Sequence, residues 1–553
     1  MVVSLATASN EGVRDARLAE NRPEQRRPAS AWGSPRPREF DANKEASLMS
    51  IISATRPGAK RNAASPRPLT EPPPRSPAAP RAVFTAWLAV VLVVVLFSGG
   101  LFGYDQGVIS GALAGIKSTF ALSPLIVEVV TSWVTLGALL GALAGGELAD
   151  NIGRRRAVLI AGSLFTVGAA IQAFAPDAAI LVVGRLVIGA GVGVAAVAAP
   201  LYAAELAPAS WRGRFVSAYQ LAITVGIFLA YLIDGWLSVN ADWRIMLGAA
   251  AVPGLLLFFV ALVAPESPRW LMKKQRRADA AREMQKTAPA GDDVEANLDE
   301  IASALNHESS RGTWSEVFHR DWRRPLMIGL GLAIFQQVTG INAIIYYADQ
   351  IFGAAGFATE ASRTTATTWA IGAVNVLSTL IAIAFIDHLG RRKLLLAGLL
   401  GMGVSLIVVG AAFQFIAMPG PVGAAPASAG PSAAGVVTLL GLVTFIVSFA
   451  FSLGPVVWTV INEIFPGRIR GRAVAICTAV NWGSAFLVSQ FFLSLVAAIG
   501  SSATFWLFAA FSVIGWVWVY IYVPETKGQS LEQIQGIWKG LRKRPSSPES
   551  SRI

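Results

Sequence analysis

Asp105 stands in Phe102-Gly103-Tyr104-Asp105-Gln106-Gly107, directly after an apolar run, and a helix continued through Val108 and Ile109 carries its carboxylate into hydrocarbon. A carboxylate at the bilayer midplane costs about 2.5–3.5 kcal/mol on insertion scales, so such a group is either paired or functional. Arg185 lies in another apolar stretch. Six amides, Gln220, Gln336, Gln337, Asn342, Asn375 and Asn481, also fall within apolar stretches. In lipid an amide has to face a cavity or hydrogen-bond a neighbouring helix. Gln336 and Gln337 are adjacent and point in two neighbouring directions, and on a continuous helix Asn342 lies nearly two turns beyond Gln336. The chemistry on offer is a buried carboxylate and a set of fixed hydrogen-bond donors and acceptors.

The remaining reactive side chains add little. Cys477 is the sole cysteine and lies in an apolar run, where it reads as a small packing residue and excludes an intramolecular disulfide. Three histidines, His307, His319 and His388, form no metal cluster by spacing, and His388 reads as a loop residue. No cofactor, metal or enzyme chemistry is called for.

These residues need elements that can hold them in lipid. Mean hydropathy is +0.54, and only 14% of the 553 residues are charged, too apolar a balance for a soluble chain of this length. Apolar segments long enough to span about 30 Å of hydrocarbon recur about twelve times. They lie near residues 83–104, 125–148, 156–175, 179–203, 214–237, 243–264, 325–348, 364–386, 394–416, 433–461, 473–498 and 502–523, and the Gly-rich ones invite breaks or bends. The net charge of +12 is not spread evenly. Basic residues crowd alternate loops, at 154–156, 212–214, 269–277, 323–324, 391–393 and 468–472, whereas the intervening loops hold few, such as Lys117 and Arg363. Positive-inside asymmetry then places both termini and the central loop in the cytoplasm, and the chain is expected as a multi-pass protein of the plasma (inner) membrane. The basic charge reports orientation and gives no case for nucleic acid.

Two charged signatures occur twice. Asp-x-x-Gly-Arg-Arg appears as Asp150, Gly153, Arg154, Arg155 and as Asp387, Gly390, Arg391, Arg392. Glu-x-x-Pro-x-x-x-Arg-Gly-Arg appears as Glu205, Pro208, Arg212, Gly213, Arg214 and as Glu463, Pro466, Arg470, Gly471, Arg472. Matched punctuation implies a duplicated membrane protein that works between its halves, the design of a transporter. Glycine permits the tight reversal, and the Asp accepts hydrogen bonds from a helix end or pairs with an Arg. Glu205 and Arg212 are seven apart across a break favoured by Pro208, so they pair elsewhere. Asp150, Arg154, Arg155, Glu205, Arg212, Asp387, Arg391, Arg392, Glu463 and Arg470 are thus expected either to anchor topology or to form a cytoplasmic gate that latches the halves together when the site faces outward.

The expected organisation has five parts. Residues 1–80, rich in Arg, Pro, Ala and Ser, cannot bury a core and lack a signal-peptide h-region. They read as a disordered extension or as a start set too early, with Met49 the alternative; a regulatory tail is the other reading. Residues 81–264 and 325–523 form two six-helix bundles. Residues 265–324 are a polar linker with amphipathic stretches at 276–285 and 294–305, expected as short bracing helices. Residues 419–431 form an outer Pro/Gly/Ala loop, and residues 524–553 a cytoplasmic tail.

At these residues the chain resembles the sugar porter family of the major facilitator superfamily. The resemblance covers about residues 83–530 and rests on many blocks. They include Gly184-Arg185, Pro200-x-Tyr202-x-x-Glu205, Pro265-Glu266-Ser267-Pro268-Arg269-Trp270, Gln336-Gln337 with Gly340-Ile341-Asn342, Gly454-Pro455 with Trp458, Asn481-Trp482, and Pro524-Glu525-Thr526-Lys527-Gly528. It implies an all-α fold of twelve transmembrane helices in two six-helix bundles, alternating access, and a central site for a monosaccharide. By the family pattern Gln220, Gln336, Gln337, Asn342, Asn375 and Trp458 contact sugar, with Asn481 beside them. Members that import with protons are similar to this chain in carrying Asp at 105, where facilitators carry Asn, and Arg185 is the implied partner; the alternative is a static ion pair. Some proton-coupled relatives have a further acid before the proline of helix six, whereas here residues 249–252 are Ala-Ala-Ala-Val. The implied function is proton-coupled import of a hexose, pentose or polyol, with sugar, proton and lipid bilayer as partners and a monomer as the default. A facilitative uniporter and a sugar sensor are the alternatives.

Overall fold

The computed structural model describes residues 84–208, 211–237, 242–288, 293–308, 314–415 and 432–527. The chain divides into Met1–Pro77 and Ala78–Ile553, and only the second unit contains described residues. The expected N-terminal extension, the loop at 419–431 and most of the C-terminal tail lie outside them.

The described fold is helical. The first half comprises α1 (Ala86–Phe120), α2 (Pro124–Ile152), α3 (Arg154–Ala173), α4 (Ala178–Leu206), α5 (Arg212–Leu237), α6 (Trp243–Gly248) and α7 (Ala251–Val263). Four short helices follow, α8 (Pro268–Lys273), α9 (Arg277–Thr287), α10 (Val294–Glu308) and α11 (Trp314–Val317). The second half opens with α12 (Arg323–Val338), α13 (Ile341–Tyr346), α14 (Ala348–Ala354) and α15 (Glu360–Ala366). A π-helical turn, Thr367–Ala373, leads into α16 (Val374–Leu389). It closes with α17 (Arg391–Gln414), α18 (Ala433–Ala450), α19 (Leu453–Ile464) and α20 (Gly467–Tyr522).

Eleven stretches are long and apolar enough to cross a membrane. The last, 56 residues long, reverses at Gly500 (φ 83°, ψ 161°) and counts as two, which makes twelve. Starts are written locally: Thr85 accepts a hydrogen bond from Leu88 N, Asp177 from Ile180 N, and Ser267 from Trp270 N ahead of Pro268.

Three expectations about the spans need correction. The first span does not end near 104 but runs 35 residues to Phe120, which buries Asp105 mid-helix. The segment 325–348 is not continuous: Gly340 (φ 94°) ends α12, and Asn342 projects from α13. The segment 433–461 breaks at Ser452, between α18 and α19. The two amphipathic linker stretches are helical, as α9 and α10.

The two ends of the bundle differ. At one, which carries Gly153 and Gly390, charged side chains gather. At the other the halves meet: α2 packs along α20, and α5 packs along the π-turn and α16. There Ser132 Oγ donates to Gln490 Oε1 (2.6 Å), and Ser494 N and Oγ both donate to Glu128 (2.6 Å each). Tyr231 Oη donates to Ile345 O (2.9 Å) and Asp349 N to Ser110 Oγ (3.1 Å). This end is closed.

Candidate functional site

Helix α1 brings Asp105 against Arg185 of α4. The Arg185 Nη1–Asp105 Oδ1 distance is 2.6 Å, with side-chain exposures of 0% and 4%. Arg185 Nε donates to Val130 O of α2 (3.2 Å), whereas its Nη2 is buried without a hydrogen-bond partner. A buried ion pair is strongly stabilising only when its remaining donors and acceptors are satisfied. This one is only partly satisfied.

One residue along α1, Gln106 donates to Asn342 Oδ1 of α13 at 3.4 Å. From there the amides form one network. Asn342 Nδ2 donates to Gln337 Oε1 (2.8 Å), Gln337 Nε2 to Asn481 Oδ1 (3.3 Å), and Asn481 Nδ2 to Gln336 Oε1 (2.7 Å). Gln336 Nε2 donates to Leu453 O (2.8 Å), beside the break between α18 and α19. The break at Gly340 is what turns Asn342 back towards Gln337, five residues earlier. Phe102, Asp105, Gln106, Val134, Tyr346 and Trp482 line a narrow seam between the halves, where the Phe102 and Trp482 rings lie 5.4 Å apart.

The structure therefore gathers Gln336, Gln337, Asn342 and Asn481 and brings them, through Gln106, to the Asp105–Arg185 pair. Three other candidates stand apart from that network among the described contacts. Asn375 is buried in the first turn of α16, just past the π-turn; Gln220 on α5 and Trp458 on α19 are half-buried. Sequence reasoning missed Gln106, although its place beside a buried acid on an apolar helix was a usable signal.

At the charged end each half carries its own set of pairs. Arg154 pairs with Glu205 (Nε–Oε2 2.8 Å) and Asp150 (3.2 Å), and Lys273 reaches Asp150 at 2.9 Å. Ser267 Oγ donates to Glu205. Glu266 Oε1 accepts from the backbone N–H of Arg154 (3.0 Å), Arg155 (3.2 Å) and Ser267 (2.9 Å), and so caps α3. Burial pushes the Glu266 carboxyl up from its ordinary range, and those backbone donors and Arg154 pull against it. In the second half Glu525 accepts from Arg391 N (2.9 Å) and Arg392 N (3.2 Å), while Arg391 pairs with Glu463 (3.2 Å). A Cβ on Gly153 or Gly390, both at positive φ, would collide with the capping carboxylate, which is why glycine stands at each. Arg155 donates to Ala264 O (3.4 Å), Arg392 to Tyr520 O (2.6 Å), and Arg470 to Phe465 O (3.2 Å). Arg212 is exposed at the start of α5. The Asp387 side chain lies outside the described residues. Glu266 and Glu525 form a third matched pair, each in a Pro-Glu step after the last span of its half.

The family model for "Sugar (and other) transporter" matches residues 90–538. The chain belongs to the sugar porter family of the major facilitator superfamily. It is similar to the galactose-proton symporter of Escherichia coli (strain K12), with 36% identity over 458 residues, 82% of this chain and 95% of that protein. It is similar to the arabinose-proton symporter of Bacillus subtilis (strain 168), with 35% identity over 450 residues, 80% of this chain and 92% of that one. Among solved structures it resembles a partially occluded inward-open conformation of the xylose transporter XylE from E. coli. There the TM-score is 0.67 at 28% identity, covering 81% of this chain and all of that one. This sugar porter family chain is a multi-pass membrane transporter and not an enzyme.

Proposed function

We propose that this chain imports a monosaccharide together with a proton by alternating access, with Asp105 as the proton carrier and the charged end in the cytoplasm of the plasma membrane. The observation that carries the reading is the adjacency, on one helix, of Asp105 paired to Arg185 and Gln106 bonded to the amide network.

In the empty outward form ionised Asp105 pairs with Arg185. Protonation removes that attraction and frees Arg185. Sugar hydroxyls replace the amide–amide bonds of Gln336, Gln337, Asn342 and Asn481, and Gln220, Asn375 and Trp458 complete the site as the halves part around it. The halves then rock, and the proton leaves inward. One proton falling through about 100 mV supplies roughly 2.3 kcal/mol, enough for about fifty-fold accumulation.

The duplicated charges at the cytoplasmic end act as the latch of the outward-facing form. With the outer end closed, Arg154 and Arg391 are turned to partners in their own halves, as an inward-facing state requires. Similarity to galactose- and arabinose-proton symporters supports the proton coupling. Purified protein in liposomes tests it: an inward proton gradient should drive uphill uptake of a labelled monosaccharide, and unlabelled sugars should compete. Equilibration without accumulation would leave a uniporter.

A further inference from the structure

The outer seam contains a second buried acid that the transport cycle above does not use. Asp234, on α5, is 4% exposed, yet its Oδ1 has no hydrogen-bond partner. Its Oδ2 accepts only from Gly111 N, at 3.2 Å, on α1. The fit is close, since a Cβ on Gly111 would sit 2.6 Å from the Asp234 carboxylate.

Its surroundings place it where the halves meet. Three residues earlier, Tyr231 donates to Ile345 O and accepts, through its carbonyl, from Thr368 Oγ1 (3.2 Å). One residue later, Gly235 faces Thr364 of α15. The charged and titratable groups around it come from every neighbouring element. Helix α1 contributes Tyr104 and Asp105, and Asp105 is paired to Arg185 of α4. Helix α5 itself contributes Tyr231. Helix α14 contributes Asp349, whose charge is matched by Arg363 of α15 (3.1 Å), with Glu360 on the same helix. Arg244 of α6 is committed to Ala175 O and the Trp243 ring. The π-turn and α16 offer no charge at this level among the described residues. Among the described residues no cation pairs with Asp234, and Asp349 sets a second carboxylate near it across the seam.

Glu128, another acid of the outer seam, provides the contrast. It is fully buried, but both its oxygens are satisfied by Ser494 N and Oγ. An acid that is buried, half-bonded and without a cation is stable when neutral, and an open, wetted seam removes that constraint.

We propose that Asp234 is a second proton-binding site, which takes up a proton as the outer end closes and releases it as that end opens. External acid then favours closure over an arriving sugar. The inference rests on the transporter reading of this fold. It adds to the Asp105 cycle a proton that follows the outer gate and does not cross the membrane with the sugar.

The test uses the full chain in right-side-out vesicles with a Ser132→Cys reporter, buried in the seam between α2 and α20. Cys477, the only native cysteine, is buried and gives little background. Because the thiolate is the reacting form, labelling at each pH is taken relative to the same reporter in denatured protein. On that ratio, lowering the outside from about pH 8 to about pH 5.5 should slow labelling by about fivefold or more, as a carboxyl moves to its neutral form. Asp234→Asn, which mimics the protonated acid, should label slowly at both pH values. Asp349→Asn, which leaves Arg363 uncompensated nearby, should move the midpoint of the response to lower pH. An unchanged response in Asp234→Asn, or a midpoint moved upward in Asp349→Asn, overturns the proposal. Asp105→Asn in the same vesicles should keep the response yet lose uphill uptake, so failure of the Asp105 reading shows in uptake and failure of this one in labelling.

Discussion

Gln106 of α1 donates to Asn342 of α13 across the two halves, one residue from the Asp105–Arg185 ion pair. The helix that carries the buried acid is thus bonded to the amide network of the other half. Any movement of α1 that follows protonation of Asp105 reaches Asn342 through a single hydrogen bond. Gln106→Leu removes that bond and should weaken sugar binding about tenfold, equivalent to about 1.4 kcal/mol. It should also lower the dependence of binding on pH. Tryptophan fluorescence titration at two pH values checks both effects, and unchanged affinity would separate Gln106 from the site.

Within the amide network Gln336 and Asn481 hold each other. Truncating either leaves a buried partner short of a hydrogen bond, which costs about 1–3 kcal/mol. Gln336→Ala and Asn481→Ala should each reduce apparent sugar affinity by roughly tenfold or more, and the double variant should lose less than the sum because both act through one network. Fully additive losses in a transport assay would contradict the shared network.

Gly340 is needed for its backbone. At φ 94°, with the Phe508 ring 2.6 Å from where a Cβ would stand, it permits the reversal that aims Asn342 at Gln337. Gly340→Ala should destabilise the protein by about 1–3 kcal/mol through left-handed strain and crowding. Thermal melting in detergent reads this directly, and a melting temperature equal to that of the parent would remove the strain argument.

The carboxylates that cap α3 and α17 should be equivalent in kind. Glu266→Ala and Glu525→Ala each leave helix N-terminal donors unbonded and should cost about 0.5–2 kcal/mol. Because burial raises the Glu266 carboxyl, its contribution is fully present below the unfolded value and is lost as pH rises through the folded one. Glu266→Gln should therefore flatten the decline in stability that lies between those two values. Melting curves across pH check the sign, and a steeper decline in Glu266→Gln would contradict it.

Much of this was legible in the sequence for a physical reason. Span number followed from hydropathy because lipid admits only satisfied backbone, and the repeats around Gly153 and Gly390 followed from the need for a glycine reversal. What stayed hidden depends on three-dimensional breaks. The turn at Gly340 and the break at Ser452 do not interrupt hydropathy, so the positions of Asn342 and Leu453 O could not be read from spacing. The partner of Gln106 was hidden for a related reason, since it lies 236 residues away in the other half. With the outer end closed, Arg154 pairs with Glu205 and Arg391 with Glu463, each within its own half, so the latch expected of the outward-facing form is left to experiment.

The central claim is that Asp105 couples the proton to the sugar. Its most direct measurement is uphill uptake and sugar exchange by Asp105→Asn in liposomes under an imposed proton gradient. The amide removes the titrating charge while preserving the shape of the side chain beside Arg185. Abolished accumulation with preserved exchange is the predicted result. Accumulation at the parent level would contradict it.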